Sequence, residues 1–281
     1  MHGDLRFAED LPQLAAEAAD VARRLCGSCQ NLHLLWPYLR LAGASEGGRV
    51  GERHIHHVVQ RLGSGDGRKF LIAGAADSGL LAVMARAVSP GTSIVVLDRC
   101  ETPLELCRRF AKRWSLPIET LHVDLMQFSL PSAFDIVLAH SLLQFIPADR
   151  CVDVLSQLRR SLRPNGRLVI LFRTSARIEG SLLPEYRQNY PTHLIKRLDR
   201  TNIALPEPRE KFRRRLEIYA EERRAREGAH TSRSEVEQLI EAAGFAIESV
   251  TAIESNLSAP FQQLTAKVSK QHYLAVAKAR D

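Results

Sequence analysis

The stretch FLIAGAADSGL, residues 70–80, gives the clearest indication of the fold class. Its apolar beginning, Phe70–Ala73, is typical of a strand buried on both faces, and it leads through small residues into an amphipathic segment at 79–88. Small side chains let a ligand approach the backbone closely, beside the free N–H groups at a helix N-terminus. The stretch therefore predicts a strand, a ligand-binding turn and a helix in succession.

The same alternation continues beyond this stretch. Helical segments at 102–115 and 148–163 separate short apolar runs, and the turn RPNG at 163–166 ends the second of these helices. Strands buried on both faces and separated by helices pair in parallel, so we expect a doubly wound α/β sheet. The further predicted strands are 93–97, 118–123, 135–139, 167–172, 245–252 and 273–277.

Two parts of the chain depart from this alternation. Residues 1–66 predict a helical N-terminal extension, with apolar residues at helical spacing from Leu11 to Leu25 and a second apolar segment at 32–41. Residues 175–230 interrupt the main domain, 67–281, with four prolines and a charged helix at 209–227. The narrow apolar stripe of this helix predicts one buried face. We interpret the insertion as a cap or lid that, with the extension, borders a substrate pocket. The stripe consists of Phe212, Leu216, Tyr219 and Ala220.

Polar residues follow three of the predicted strands. Asp98 ends the second strand, Asp124 follows the third and His140 ends the fourth. Ligands of open α/β sheets bind at the carboxyl ends of the strands, and a carboxylate there can accept both hydroxyl groups of a ribose. The three strand ends therefore predict a nucleoside-containing ligand.

Six motifs follow one another along the chain: GAADSG at 74–79, Asp98, VDL at 123–125, FDIVLAHSLLQFIP at 134–147, LRRSLRPNGRLVIL at 158–171 and RSEVEQLIEAAGF at 233–245. With these motifs in order, the chain resembles the class I S-adenosylmethionine-dependent methyltransferases from about Lys69 to the C-terminus, apart from 175–230. The resemblance implies a Rossmann-like, seven-stranded sheet whose last strand is antiparallel, with S-adenosyl-L-methionine as the cofactor.

The resemblance also implies a set of cofactor-binding residues. The loop would lie against the methionine part, Asp98 would hold the ribose, and Asp124 with Leu125 would contact the adenine. The loop departs from the usual Gly-x-Gly-x-Gly at Ala76 and Ser78, which reach positive φ less freely than glycine. The full set is Ala73, Gly74, Ala75, Ala76, Ser78, Gly79, Asp98, Arg99, Asp124, Leu125, Ala139 and His140.

Two alternatives stay open from the residues. The loop also fits a relaxed dinucleotide motif, because Asp98 stands 19 residues after Gly79. This pattern would suit an NAD(P)-dependent oxidoreductase. A non-catalytic relative that binds S-adenosylmethionine is the other alternative. An antiparallel last strand would separate the methyltransferase sheet from a dinucleotide-binding fold.

Methyl transfer from a sulfonium is an in-line displacement, and an O–H or N–H acceptor must lose a proton. His140 is our candidate base, since its position borders the methyl group and its unperturbed pKa is near neutrality. We expect a small-molecule acceptor, with O-methylation slightly preferred. Basic residues of the insertion suggest that the acceptor is anionic. The candidate substrate-binding aromatic residues are Trp36, Tyr38, Tyr186 and Tyr190, and the basic residues are Arg187, Lys196 and Arg197.

The formal charge of +7 does not indicate nucleic acid. Residues 175–230 hold 13 Lys+Arg and 9 Asp+Glu, so more than half of the excess lies in one segment of alternating sign, typical of a solvated helix face. The fourth strand end also lacks the Asn/Asp-Pro-Pro-aromatic run of base-amino methylation. The partner expected is a small molecule, and a homodimer stays open.

Apolar runs and cysteines point to a location. No apolar run approaches the roughly 18 residues of a membrane span, and the N-terminus lacks the pattern of a secretory signal. Five cysteines, an odd number, do not form a disulfide framework, so we expect a cytoplasmic protein.

The motif Cys26-x-x-Cys29 with His33 raises the question of a metal. A structural zinc ion requires four ligands, and the sequence offers no second Cys pair. We therefore expect no metal and assign these residues to packing.

Overall fold

The computed structural model describes residues 9–44, 48–64, 67–175, 183–201, 203–225, 230–254 and 270–280. The helices are α1 (Leu11–Leu25), α2 (Gln30–Leu41), α3 (Gly48–Leu62), α4 (Gly79–Ala87), α5 (Glu101–Trp114), α6 (Cys151–Ser161), α7 (Leu183–Asp199), α8 (Arg209–Ala225) and α9 (Arg233–Ala242). The strands are β1 (Lys69–Ala73), β2 (Ser93–Asp98), β3 (Ile118–His122), β4 (Phe134–His140), β5 (Leu162–Ser175), β6 (Phe245–Ile253) and β7 (Lys270–Ala279).

The seven strands form one sheet in the order β3-β2-β1-β4-β5-β7-β6. Strands β1 to β5 pair in parallel, and β7 lies antiparallel between β5 and β6. The predicted doubly wound, Rossmann-like sheet with an antiparallel last strand is confirmed. The chain reverses its direction across the sheet between β1 and β4, and a ligand of such a fold binds at this switch point.

The predicted turn at 163–166 lies within β5. Between the pairs Phe134–Leu162 and Ile136–Arg167, β4 advances by two residues while β5 advances by five. The extra residues bulge out of the ladder, and Asn165 has a φ of 63°. The sequence therefore identified the turn correctly but placed the beginning of the strand after it.

Both faces of the sheet are covered by helices. One face packs against α3, α4 and α5 through residues such as Ile55, Val83 and Phe110, and the other packs against α6 and α9 through residues such as Leu155 and Ile240. The apolar side chains of the strands are divided between these two layers because successive residues point to opposite faces. This three-layer core leaves the carboxyl ends of the parallel strands as the open edge.

A separate apolar cluster joins the N-terminal extension to the insertion. Helices α1 and α2 pack against α7 and α8, and the rings of Tyr38 and Phe212 meet edge to face at 5.4 Å between centroids. Arg215 of α8 donates to the side-chain oxygen of Asn31 at 2.7 Å. All four predicted stripe residues of α8 are buried here. Helices α1 and α2 of the extension thus form one helical layer with α7 and α8 of the insertion, whereas α3 packs on the sheet.

None of the helices within the described residues combines the length and the apolar character needed to cross a bilayer.

Candidate active site

A cavity of about 390 Å³ lies along the carboxyl ends of the strands. Its wall includes residues that follow β1, β2, β3 and β4, as well as residues of α2, α8, β5 and β7. Its volume is within the range of about 300–1,000 Å³ that is typical of small-molecule sites. The cavity therefore occupies the place where the sheet topology predicts a ligand.

The turn after β1 depends on a single residue with positive φ, which is a glycine. Within the described chain, positive φ in this loop falls on Gly74 alone, at 82°, whereas Ser78 has a φ of −76°. The Gly74 N–H donates to the Leu97 carbonyl at 2.8 Å, which fixes the loop to the end of β2. Ala76 and Ser78, where the usual pattern has glycine, therefore cost no backbone strain.

Asp98 joins two loops at the edge of the sheet. One carboxylate oxygen accepts from the Ala75 N–H at 2.9 Å, and the other accepts from the Cys100 N–H at 2.7 Å. Burial raises the pKa of Asp98 above its ordinary value, while these two hydrogen bonds oppose the rise. Each carboxylate oxygen has a second lone pair, so the side chain can still accept from a ligand in the cavity.

Behind the loop lies a buried ion network that sequence reasoning missed. The Arg40 guanidinium of α2 donates to Asp77 at 2.7 Å and to Glu9 at 2.5 Å, and Ser78 donates to Glu9 at 2.8 Å. Asp77 also accepts from the Gly79 N–H at 2.8 Å, so its carboxylate caps the start of α4. The network joins the N-terminal extension to the loop after β1.

The charges of this network are mutually dependent. Burial by itself would lower the pKa of Arg40, but the carboxylates of Asp77 and Glu9 overcome that effect and raise it. Burial raises the pKa of Glu9, and Arg40 opposes that rise. Because each charge is compensated by an opposite one, the removal of one partner would leave an unpaired charge in a buried place.

Most of the predicted cofactor-binding residues lie on the cavity wall. Three do not, since Ala73 and Ala139 are buried within their strands and Ser78 faces Glu9. The predicted residues on the wall are Gly74, Ala75, Ala76, Gly79, Asp98, Arg99, Asp124, Leu125 and His140.

His140 reaches the wall at the end of β4. Desolvation by burial lowers the pKa of its imidazole to about 4, so the ring is neutral at physiological pH. A neutral ring can accept a hydrogen bond, but a pKa this low gives little driving force for taking a proton. From the sequence, only the unperturbed pKa of histidine can be assigned to His140, because the burial of a residue cannot be read from residue types.

Another part of the wall comes from residues that are far apart in the chain. Trp36 of α2 lines the cavity together with Tyr219 and Arg223 of α8. At the edge of the sheet, Arg173 of β5 and His272 of β7 are register partners and both line the cavity. This side is therefore aromatic and basic.

Two predicted substrate residues lie elsewhere. Tyr38 and Tyr190 are each 1% exposed and belong to the apolar cluster between the extension and the insertion, so their assignment to the pocket is wrong. Periodicity cannot distinguish an aromatic residue that faces a cavity from one that faces a neighbouring helix. The side chain of Tyr186 lies outside the described residues.

The structure brings Cys26, Cys29 and His33 next to Cys100. One ligand atom from each of these four residues lies within 4.8 Å of all the others. The fourth ligand atom comes from a lone cysteine, so the absence of a second Cys pair does not exclude a metal, and the assignment of these residues to packing alone does not follow. Cys100 is missed because it stands alone in the sequence, at the corner between β2 and α5.

Comparison with known proteins identifies the central part of the chain. A family model described as a methyltransferase domain matches residues 70–166. A carboxy-S-adenosyl-L-methionine synthase from Glaesserella parasuis is 30% identical over 95 residues, which cover 33% of this chain and 39% of that protein. Thus the alignment covers about two-fifths of the length of this curated relative.

Solved structures share the fold at low sequence identity. Phosphoethanolamine N-methyltransferase 2 of Haemonchus contortus, solved with phosphomonomethylethanolamine and S-adenosylhomocysteine, has a TM-score of 0.56 at 15% identity and covers 94% of this chain and 60% of its own. A geranyl diphosphate methyltransferase has a TM-score of 0.52 at 12% identity, and the match covers 80% of this chain and 77% of that protein. The [4+2]-cyclase SpnF has a TM-score of 0.56 at 13% identity, covering 94% and 96%.

Together, the sheet and the comparisons confirm the resemblance that the motifs predicted. Residues 70–166 match a methyltransferase domain, and a solved methyltransferase that holds S-adenosylhomocysteine shares the fold. The antiparallel β7 favours this fold over the dinucleotide-binding fold, whose sheet has six parallel strands in the order 3-2-1-4-5-6.

Proposed function

We propose that this chain, whose centre is a methyltransferase domain of the S-adenosylmethionine-dependent class, transfers a methyl group to an anionic small molecule. The observation that carries the proposal is one cavity whose wall combines carboxylates at the ends of β1–β3, its acidic edge, with aromatic and basic residues from α2, α8, β5 and β7. S-Adenosylmethionine supplies an electrophilic methyl group on a positively charged sulfur. The chain must bind it, orient the acceptor and exclude water.

The acidic edge suits this cofactor better than a dinucleotide. A diphosphate needs free N–H groups and positive charge at the start of the helix after β1. Here the Asp77 carboxylate already occupies the Gly79 N–H, and Asp98 and Asp124 also lie on this part of the wall. The carboxylates of Asp98 and Asp124 would repel a diphosphate, but they can accept hydroxyl and amino groups and attract a sulfonium.

The basic, aromatic side is proposed as the acceptor subsite. Trp36 and Tyr219 offer flat apolar surfaces, and Arg173 can pair with a carboxylate or phosphate of the acceptor. Arg223 also lies on this wall, where its guanidinium stands over the Tyr190 ring at 5.7 Å. An acceptor that bears an aromatic or apolar body and an acidic group matches these surfaces.

His140 lies on the wall of this cavity and is proposed to position the acceptor. Its neutral imidazole can accept a hydrogen bond from a hydroxyl group, which would hold the acceptor oxygen in line with the methyl group. A hydroxyl group needs only this orientation when it is acidic enough to lose its proton to water. For this reason we retain a slight preference for O-methylation.

The direct test is calorimetric titration of the full chain with S-adenosylhomocysteine and, separately, with NAD. We expect binding of the former and none of the latter. Asp98→Ala should weaken S-adenosylhomocysteine binding by about two orders of magnitude, because it removes a charge-assisted acceptor and releases the Ala75 and Cys100 N–H groups. Asp153→Ala is the matched control, since Asp153 is an exposed aspartate of α6 whose salt bridge is with Arg150.

The titration can fail in distinct ways. Well-folded protein that does not bind S-adenosylhomocysteine would disprove the proposal, and tight binding of NAD would favour the oxidoreductase. The protein can also be incubated with S-adenosylmethionine and a panel of hydroxylated aromatic and aliphatic acids. If it binds the cofactor but forms no S-adenosylhomocysteine with any of these acids, the result would favour the non-catalytic relative.

A further inference from the structure

Four residues lie together near the acidic edge of the cavity, which is the proposed cofactor side and is called the cofactor edge below. They have the donor set of a zinc site. Cys26 and Cys29 stand between α1 and α2, His33 lies in the first turn of α2, and Cys100 precedes α5. Each offers one ligand atom, and these atoms lie within 4.8 Å of one another. Three sulfurs and one imidazole nitrogen form a Cys₃His set, which is one of the common combinations of structural zinc.

The distance between the sulfurs agrees with a shared metal. The Cys26 and Cys100 sulfurs are 3.6 Å apart. Zinc–sulfur bonds of about 2.3 Å at tetrahedral angles place two thiolates about 3.8 Å apart. A disulfide would require about 2.05 Å. The two side chains come from different elements of the fold, so this approach does not follow from the short spacing of the Cys-x-x-Cys motif.

Groups around the cluster also orient its ligands. The Nδ1 atom of His33 lies 3.0 Å from the Ala76 carbonyl, which can only accept, so Nδ1 carries the hydrogen and Nε2 carries the lone pair. Metal-binding histidines usually donate their second N–H to a carbonyl or a carboxylate in this way. The Thr102 hydroxyl lies 2.9 Å from the Cys26 sulfur and can donate to a thiolate.

We propose that Cys26, Cys29, His33 and Cys100 bind one Zn²⁺ ion in a closed, structural site. Thiolate-rich sets of four favour zinc over harder cations, and four protein ligands leave no position for a substrate. On binding, the three thiols release their protons to the solvent and His33 coordinates as a neutral imidazole. The ion would join the corner between α1 and α2 to the corner between β2 and α5.

The position of the site suggests its role. Cys29, His33 and Cys100 all border the cavity, and the Cys100 N–H donates to Asp98. His33 holds the loop after β1 through the Ala76 carbonyl. The zinc ion would therefore fix two cofactor-binding loops as well as the N-terminal helices. The proposal does not depend on methyl transfer, because metal content can be measured without a cofactor.

The test begins with the full-length protein expressed in zinc-supplemented medium and purified under reducing conditions. Mass spectrometry of the metals should find one zinc per chain. Cys26→Ser and Cys100→Ser should each lower the zinc content at least tenfold after dialysis against a chelator. Cys151→Ser is the matched control, because Cys151 is a buried cysteine whose thiol contacts the Pro147 carbonyl at 3.5 Å and lies outside the cluster.

A second measurement covers variants that do not fold. Wild-type protein with its metal exchanged for Co²⁺ should show the visible bands of a tetrahedral ion and sulfur-to-cobalt charge transfer in the near ultraviolet. Reduced wild-type protein that takes up no Zn²⁺ in equilibrium dialysis would overturn the proposal. So would full zinc content in Cys100→Ser, or a disulfide between any of the three cysteines in anaerobically purified protein.

Discussion

The two sides of the cavity are built in different ways. The cofactor edge consists of short segments that follow consecutive strands, and its side chains are fixed by backbone hydrogen bonds and by the Arg40–Asp77–Glu9 network. The acceptor side takes Trp36, Arg173, Tyr219 and His272 from four elements spread over more than 200 residues. Polar contacts hold the first side, and packing between helices positions much of the second.

The two sides therefore differ in how much substitutions elsewhere in the fold can change their shape. Residues that end neighbouring parallel strands must meet at one edge, so the cofactor edge follows from the sheet itself. The acceptor side depends on how α2 and α8 pack, and substitutions in their apolar cluster can change its shape without altering the sheet. We therefore expect such substitutions to change the binding of the acceptor more than the binding of the cofactor.

The largest effect is expected from breaking the ion network. Arg40→Met should lower the free energy of unfolding by about 3–5 kcal/mol, because Asp77 and Glu9 would remain as buried, uncompensated charges. Urea unfolding monitored by circular dichroism measures this change. Adding Glu9→Gln to Arg40→Met should restore part of the loss, since it removes one of the two charges.

An exposed arginine provides the control for that experiment. Arg24 of α1 pairs with Asp20 one turn away, and its side chain is 53% exposed. Arg24→Met should change the stability by no more than about 0.5 kcal/mol. Equal losses for both variants would show that the buried network does not stabilise the cofactor edge.

A smaller effect is expected from the protonation of His140. The folded state holds this pKa at about 4, below the ordinary value of 6.5, so the unfolded chain takes up the proton first as the pH falls. This group's contribution to stability is complete above pH 6.5 and is lost toward pH 4. Between pH 7 and pH 5 the loss should be about 2 kcal/mol.

Other groups titrate in the same interval, so the measurement compares wild type with His140→Gln. The difference between their unfolding free energies should shrink toward pH 5 by that amount. A constant difference would mean that His140 has an ordinary pKa, and would restore it as a candidate base. Nuclear magnetic resonance of the imidazole gives the pKa independently.

The smallest effect is expected on the acceptor side. Arg173→Gln should raise the KM of a carboxylate-bearing acceptor about tenfold, since it removes one charge-assisted hydrogen bond of about 1.5 kcal/mol. The affinity for S-adenosylhomocysteine and the KM of an uncharged analogue should stay within a factor of two. Steady-state assays with the paired acceptors measure this change.

Lys196→Gln is the control for this last experiment. The sequence suggested Lys196 as a binding group, but its side chain is exposed and lies outside the cavity wall. It should leave both KM values unchanged. A larger effect from Lys196 than from Arg173 would place the acceptor outside the described cavity.

Local patterns in the sequence determined the sheet and most of the cofactor edge. Alternation of apolar runs and helices predicts β1 to β5, and polar residues at strand ends predict Asp98 and Asp124, because parallel strands bring their carboxyl ends together. The conformation of the loop after β1 also follows from the local sequence, because positive φ is needed at position 74 and the residue there is a glycine.

Tertiary structure decided what depends on distant partners. Whether Trp36 or Tyr38 faces the cavity depends on the position of α8, and the pKa of His140 depends on how much water the fold removes from it. The pairing of Arg40 with Asp77 and the approach of Cys100 to Cys26 join residues 37 and 74 positions apart. Such contacts leave no periodic pattern in the sequence. The sequence alone therefore predicts the sheet and most of the cofactor edge, whereas the ion network, the acceptor side and the cysteine cluster depend on how the helices and loops pack.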